Sequence, residues 1–144
     1  GVYRCAYDKT KKELVSSVLH VGDIGGSGGY VDAPGSSARF SRPRQGVFVK
    51  NKEYVVQGKE DVYDFYVCDH NNNAIRKITP EGEVSTFAGR GSMGVDGKVW
   101  GWIDGDARET ARFREPTGIC YDEDEEIFYV ADRENKRIRT ISVE

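Results

Sequence analysis

Residues Ala111–Ile119 read "ARFREPTGI", and 73 positions earlier Ala38–Val47 read "ARFSRPRQGV". Ala-Arg-Phe returns with a proline three residues on and a glycine soon after. An echo at fixed spacing marks repeat architectures, in which each unit buries its apolar face only by stacking on the next.

Working outward, "FYVCDHNNNAIRKI" (Phe65–Ile78) lies over "FYVADRENKRIRTI" (Phe128–Ile141) without a gap at an offset of 63. Asp69/Asp132, Asn72/Asn135, Arg76/Arg139 and the flanking isoleucines coincide. Upstream, "GYVD" (Gly29–Asp32) lies over "GWID" (Gly101–Asp104). The offset falls from 73 to 63, so the first copy carries ten extra residues, which the register places in a loop around "NKEYVVQGKED" (Asn51–Asp61). A fainter third copy begins the chain, with "YRC" (Tyr3–Cys5) where "IRK" stands in the next unit.

Each unit is built of short β-branched and aromatic runs, such as "GVFV" (Gly46–Val49), "DFYVCD" (Asp64–Asp69) and "EVSTFAG" (Glu83–Gly89). Turn residues separate them, among them Asn71–Asn73 and Pro80-Glu81-Gly82. That predicts about four strands per unit. The apolar residues of "FYVC" and "IFYV" are continuous, which predicts strands covered on both faces. "KKELVSSVLHV" (Lys11–Val21) has helical spacing at Leu14, Val15, Val18 and Leu19, but the repeat register assigns it to a strand.

Composition narrows the function classes. The chain has 144 residues and a formal net charge of −3, with both signs interspersed. No basic face is implied, and nucleic-acid binding is disfavoured. No apolar run reaches the ~18 residues a membrane-spanning helix needs. Three cysteines, Cys5, Cys68 and Cys120, form no CxxC pair and are expected to be small buried hydrophobes rather than metal ligands or a disulfide framework.

Ala-Arg-Phe-x-x-Pro-x-Gly-Ile, a Tyr-Val-Ala-Asp strand end and Asp-x-x-Asn-x-x-Ile-Arg-x-Ile together resemble the NHL repeat family of β-propellers. The likeness runs from about Val2 to Val143, and is greatest to bacterial cell-surface proteins that carry an IPT/TIG domain ahead of such repeats. It implies an all-β fold of four-stranded blades, about two to two and a quarter of them here, out of a propeller that is usually six-bladed. Residues 1–28 would end one blade, 29–89 form a complete blade with the inserted loop, and 101–144 make most of the next. The missing blades are expected from a longer parent chain or from other copies. The histidine that many NHL repeats place after the Asn is Asn73 in one copy and Lys136 in the other, so functions resting on it do not carry over.

Most of the signature reads as structural. Asp69 and Asp132 end strands and are expected to accept from backbone N–H groups two residues on, while Asn72 and Asn135 tolerate left-handed backbone. Phe40 and Phe113 are expected to be core knobs between blades, and Pro43 and Pro116 are further structural positions of the repeat. Arg76 and Arg139 suit blade-to-blade hydrogen bonding or a channel lining. "DEDEE" (Asp122–Glu126) reads as a solvated hairpin tip that lacks the glycine of a calcium loop.

Strand parity places the Asp/Asn turns on the same face as two long loops, Gly22–Arg39 and Gly89–Arg112. These hold Tyr30 and both tryptophans, Trp100 and Trp102. Aromatic rings beside Asp, Arg and Asn suit a sugar, whose C–H face stacks on the ring while its hydroxyls bond polar groups. Candidate ligand contacts are therefore Tyr30, Trp100, Trp102, Asp104, Arg76 and Arg139. Trp100 is the best of them, since Tyr30 and Trp102 occupy equivalent positions and can simply pack the loop down. The reading is a non-catalytic surface module, extracellular or on an outer membrane by resemblance, that binds a carbohydrate or a protein and needs no cofactor. Its alternative is a propeller hydrolase or lyase holding a metal in the central channel, to which His70, Asp69 and Asp132 could contribute ligands.

Overall fold

The computed structural model describes residues 1–89 and 100–142. It is all-β, with nine strands among those residues. In chain order they are β1 (Val2–Asp8), β2 (Glu13–Val21), β3 (Pro43–Lys50), β4 (Tyr63–Asp69), β5 (Ala74–Ile78), β6 (Val84–Ala88), β7 (Pro116–Asp122), β8 (Ile127–Asp132) and β9 (Arg137–Ser142). They form antiparallel sheets of two, four and three strands, ordered β1-β2, β3-β4-β5-β6 and β7-β8-β9. These are consecutive blades of one repeat. The Lys11–Val21 stretch is indeed a strand, and no helix among the described residues is long and apolar enough to cross a membrane.

Period-two alternation explains how the middle blade is covered. On β4, Val67 and the partly buried Phe65 face the first sheet and join Val21, Phe40, Ile78 and Val84. Tyr66 and Cys68 point the other way, into a cluster with Ile75, Phe113, Ile119, Phe128 and Val130. Phe40 and Phe113 are thus knobs between successive blades. Phe128 stacks on Tyr66, Phe87 and Tyr121 with centroids 4.5–5.0 Å apart. The strands β3 and β7 lie side by side, joined where Gln45 Oε1 accepts from the Ile119 amide at 2.5 Å.

Three expectations need correction. Of the apolar residues on β8 only Phe128 and Val130 are buried; Tyr129 on the opposite face is 36% exposed, because no described strand covers that side. Of the cysteines only Cys68 is buried, and burial pushes its thiol up to about 12. Cys120 is exposed because it alternates with inward-facing Ile119, and Cys5 lies on the exposed first hairpin. The inserted segment, in turn, is more than loop: Lys52–Val56 is a short helix, α1, capped by Asn51 Oδ1 on the Glu53 and Tyr54 amides. Lys52 reaches Glu126 of the next blade's hairpin at 2.5 Å.

Candidate functional site

Two equivalent polar clusters hold the loop face. Asp69, wholly buried, accepts from the Ser41 amide through Oδ1 (2.8 Å) and from Asn72 and Arg76 Nη1 through Oδ2 (2.7 Å each). Asp132 does the same with the Arg114 amide, Asn135 and Arg139 Nη1 at 2.7, 2.7 and 2.9 Å. The carboxylates therefore reach across to the preceding loop rather than to amides two residues on. The left-handed residue of each turn is likewise one later than expected, Asn73 (φ 54°) and Lys136 (φ 55°), because the 3₁₀ turns over residues 70–72 and 133–135 take in Asn72 and Asn135 themselves.

The arginines complete the clamp. Arg76, fully buried, donates to the Val31 and Arg39 carbonyls at 2.8 and 2.9 Å and to Asp32 at 2.7 and 3.0 Å. Arg139 repeats this with the Ile103 and Arg112 carbonyls at 3.0 Å and Asp104 at 2.6 and 3.0 Å. Asn72 and Asn135 donate to the Gly29 and Gly101 carbonyls at 2.8 and 2.7 Å. Each long loop is thus tied at four places to the turn and strand behind it. Burial pushes the Asp69 carboxyl above its ordinary value, while Asn72, the Ser41 amide and Arg76 work to lower it.

The aromatic rings stand outside these clamps. Tyr30 lies 4.8 Å from the Arg76 guanidinium, and its hydroxyl bonds Thr86 Oγ1. Trp102, 53% exposed, stacks on Arg137 at 3.2 Å; Trp100, 36% exposed, stacks on Arg114 at 4.3 Å. Residues 90–99 of the second loop lie outside the described residues.

Arg114, Arg137 and Thr86 were missed from sequence. Arg114 stands where Ser41 stands in the other copy and Arg137 where Ala74 stands, so the differences between copies, rather than the shared signature, held the signal.

The metal-ligand alternative meets occupied groups. Both Asp69 and Asp132 carry their donors on both oxygens. His70 is buried with Nδ1 3.3 Å from the Pro116 carbonyl and Nε2 3.5 Å from Glu115. Among the described residues no three His, Cys, Asp or Glu side chains form a metal-binding group.

The NHL repeat family's model matches residues 113–141. Solved structures from Bacteroides follow the chain closely. An auxiliary nutrient binding protein from Bacteroides thetaiotaomicron is 48% identical (TM-score 0.86), covering 97% of this chain and 32% of that one. A second, from Bacteroides ovatus, is 41% identical (TM-score 0.85; 99% and 32%). A candidate phosphatase from Bacteroides thetaiotaomicron is 48% identical (TM-score 0.87; 99% and 30%). NHL repeat-containing protein 2 of Bos taurus is 29% identical over 117 residues, 81% of this chain and 14% of its own length. The chain therefore spans about a third of the solved structures it matches and a smaller part of that relative. On these grounds the chain carries the NHL repeat, in antiparallel blades of the β-propeller type.

Proposed function

We propose that the chain is part of a non-catalytic binding module whose loop face recognises a glycan, on the surface of a bacterial cell. The observation that carries this is the pair of exposed indoles, Trp100 and Trp102, on a loop tied at four points to the blade behind it. A ring held in place stacks on a sugar without the entropy loss of ordering a free loop. In this reading Trp100 makes the principal contact with Arg114 beside it. Trp102 and Tyr30 flank it, while Arg76, Arg139 and Asp104 serve by positioning the loops. The two nutrient binding relatives support a binding role. The likeness to IPT/TIG-bearing surface proteins belongs to this proposal, as does supply of the remaining blades by a longer parent.

The test is native electrophoresis through gels cast with a panel of soluble polysaccharides, using the chain, Trp100→Ala and Trp102→Ala. Retardation by one polysaccharide, reduced at least about tenfold by Trp100→Ala, is the expected result, since one lost stacking contact of about 1.4 kcal/mol weakens binding tenfold. Free migration in every gel, or retardation indifferent to both substitutions, would remove the glycan reading for this face.

The candidate phosphatase favours a second reading, hydrolysis. Release of phosphate from a chromogenic monoester by the chain, dependent on added divalent cation and abolished by His70→Gln, would establish it in place of the first.

A further inference from the structure

The segment that the first copy carries and the second lacks, Asn51–Asp61, connects β3 to β4 and so lies on the face opposite the tryptophan loops. Its helix α1 is pinned in three ways. Asn51 caps α1 through Oδ1 and donates through Nδ2 to both oxygens of Asp64 at 3.1 Å. Tyr54 donates its hydroxyl to Glu81, and Lys52 reaches Glu126 of the next blade at 2.5 Å. Beside α1, where the second sheet meets the third, lies an open hollow of about 700 Å³.

Alternation along β4 sets its floor. Asp64 and Tyr66 share the face turned to the third sheet, and Lys77 of β5 pairs directly opposite Tyr66 with its ammonium 3.3 Å from Asp64. Asp64 is 4% exposed and Tyr66 8%. Tyr121 of β7 adds a half-buried ring from the third sheet. Among the described residues the hydroxyls of Tyr66 and Tyr121 have no hydrogen-bond partner, and that of Tyr66 opens into the hollow rather than being sealed in the core. Burial pushes the Tyr66 phenol up to about 12, with the nearby charges of Asp64 and Tyr121 adding to the effect, so it stays a donor at neutral pH.

The acceptors here are already engaged, Asp64 by Asn51 and Lys77 and Glu81 by Tyr54. What is left over is donor capacity, in two phenols and the remaining protons of the Lys77 ammonium. Four lysines line the hollow against three carboxylates, in a chain whose net charge is −3. The next blade does not repeat the arrangement: at the offset of 63, Ile127 stands for Asp64 and Thr140 for Lys77, and the insertion is missing. The hollow thus belongs to this junction and not to the repeat.

We propose that it is a binding site for a hexuronic acid, an acidic sugar whose carboxylate accepts from the Tyr66 and Tyr121 hydroxyls and the Lys77 ammonium while its C–H face lies on the Tyr121 ring. Hydrogen bonds to an ionised acceptor are of the stronger class, and a neutral sugar forfeits them. The ring beside the donors selects a sugar acid over a bare anion, which would leave that apolar face uncovered. This site is separate from Trp100 and does not depend on the glycan reading of the loop face.

The test titrates sodium D-glucuronate into the isotope-labelled full chain and follows backbone amide shifts, with D-glucose and sodium acetate alongside. Saturable shifts in the millimolar range at Asn51–Tyr54 and Asp64–Tyr66 are expected, with both comparison ligands bound at least about tenfold more weakly. Tyr66→Phe removes one hydroxyl and keeps the ring that packs on Phe87 and Phe128. It should weaken glucuronate binding about tenfold, a loss of about 1.4 kcal/mol. Tyr129→Phe, at the equivalent place in the next blade, should bind as the unaltered chain does. No saturation up to tenth-molar glucuronate, glucose or acetate bound as well as glucuronate, indifference to Tyr66→Phe, an equal loss in Tyr129→Phe, or shifts confined to the loop face around Trp100 would each overturn the proposal.

Discussion

Asp132 and Asp104 bond the same guanidinium, yet their surroundings make them unequal. Asp132 is fully buried and satisfies an amide, an asparagine and Arg139 together, whereas the Asp104 side chain is 77% exposed. Removing one partner of a buried pair strands the other charge in a medium that solvates it poorly, which typically costs about 3–5 kcal/mol. An exposed partner is replaced by water at a cost of about 1 kcal/mol or less. Asp132→Ala is therefore expected to lower unfolding stability by the larger amount and Asp104→Ala by the smaller, read from urea midpoints at constant m-value. Equal losses would mean that the clamp acts through Arg139's carbonyl bonds alone. The sequence showed that Asp69, Asn72 and Arg76 recur together with Asp132, Asn135 and Arg139. It could not show that each carboxylate reaches back 18 or 28 residues to an amide, because that pairing is made by the stacking of loop on turn.

At the scale of the strand, the echo that revealed the repeat is partly deceptive. Gly46 and Gly118 look like one position of the signature, but Gly46 pairs with Val67, and the equivalent Val130 pairs with Ile119. The glycine in the second copy thus occupies the place of Gln45. Its reason is local, since a Cβ on Gly46 would lie 2.5 Å from the Phe65 ring and 2.6 Å from the Tyr66 carbonyl. A Cβ on Gly118 would meet only the movable Gln45 amide at 3.4 Å and Ala131 at 3.8 Å. Gly46→Ala is expected to destabilise by about 1–3 kcal/mol through overpacking, and Gly118→Ala by much less. Thermal unfolding of the pair decides it; matching losses would show that β3 shifts to admit the methyl. Strand order, the insertion and the knobs Phe40 and Phe113 were legible because they follow from alternation and register. Which face of β8 is covered, and that Cys5 and Cys120 are exposed, were not, because those depend on how many blades flank a given sheet.

For the whole molecule, stacked repeats have a stability that is a sum of unit and interface contributions, so protection is set by neighbours rather than by strand length. The β4–β5 pair is sandwiched, with Val67 facing the first sheet and Cys68 and Ile75 the third, all at 2% exposure or less. The first hairpin, β1-β2, is the opposite case. It is exposed along most of its length, with Tyr7, Leu14 and Val18 each more than half exposed, and it is anchored chiefly by Val21. Sub-global opening of that hairpin breaks one interface, whereas opening β4 breaks two. Native-state amide exchange is therefore expected to be slowest at Val67, Cys68 and Ile75, intermediate on β8, and fastest on β1-β2. A gap of 2.7 kcal/mol or so between the extremes corresponds to about a hundredfold in rate. A single uniform rate across all three sheets would instead make the chain one cooperative unit, in which case the first hairpin is held by contacts with the blade beside it as firmly as the core strands are held by theirs.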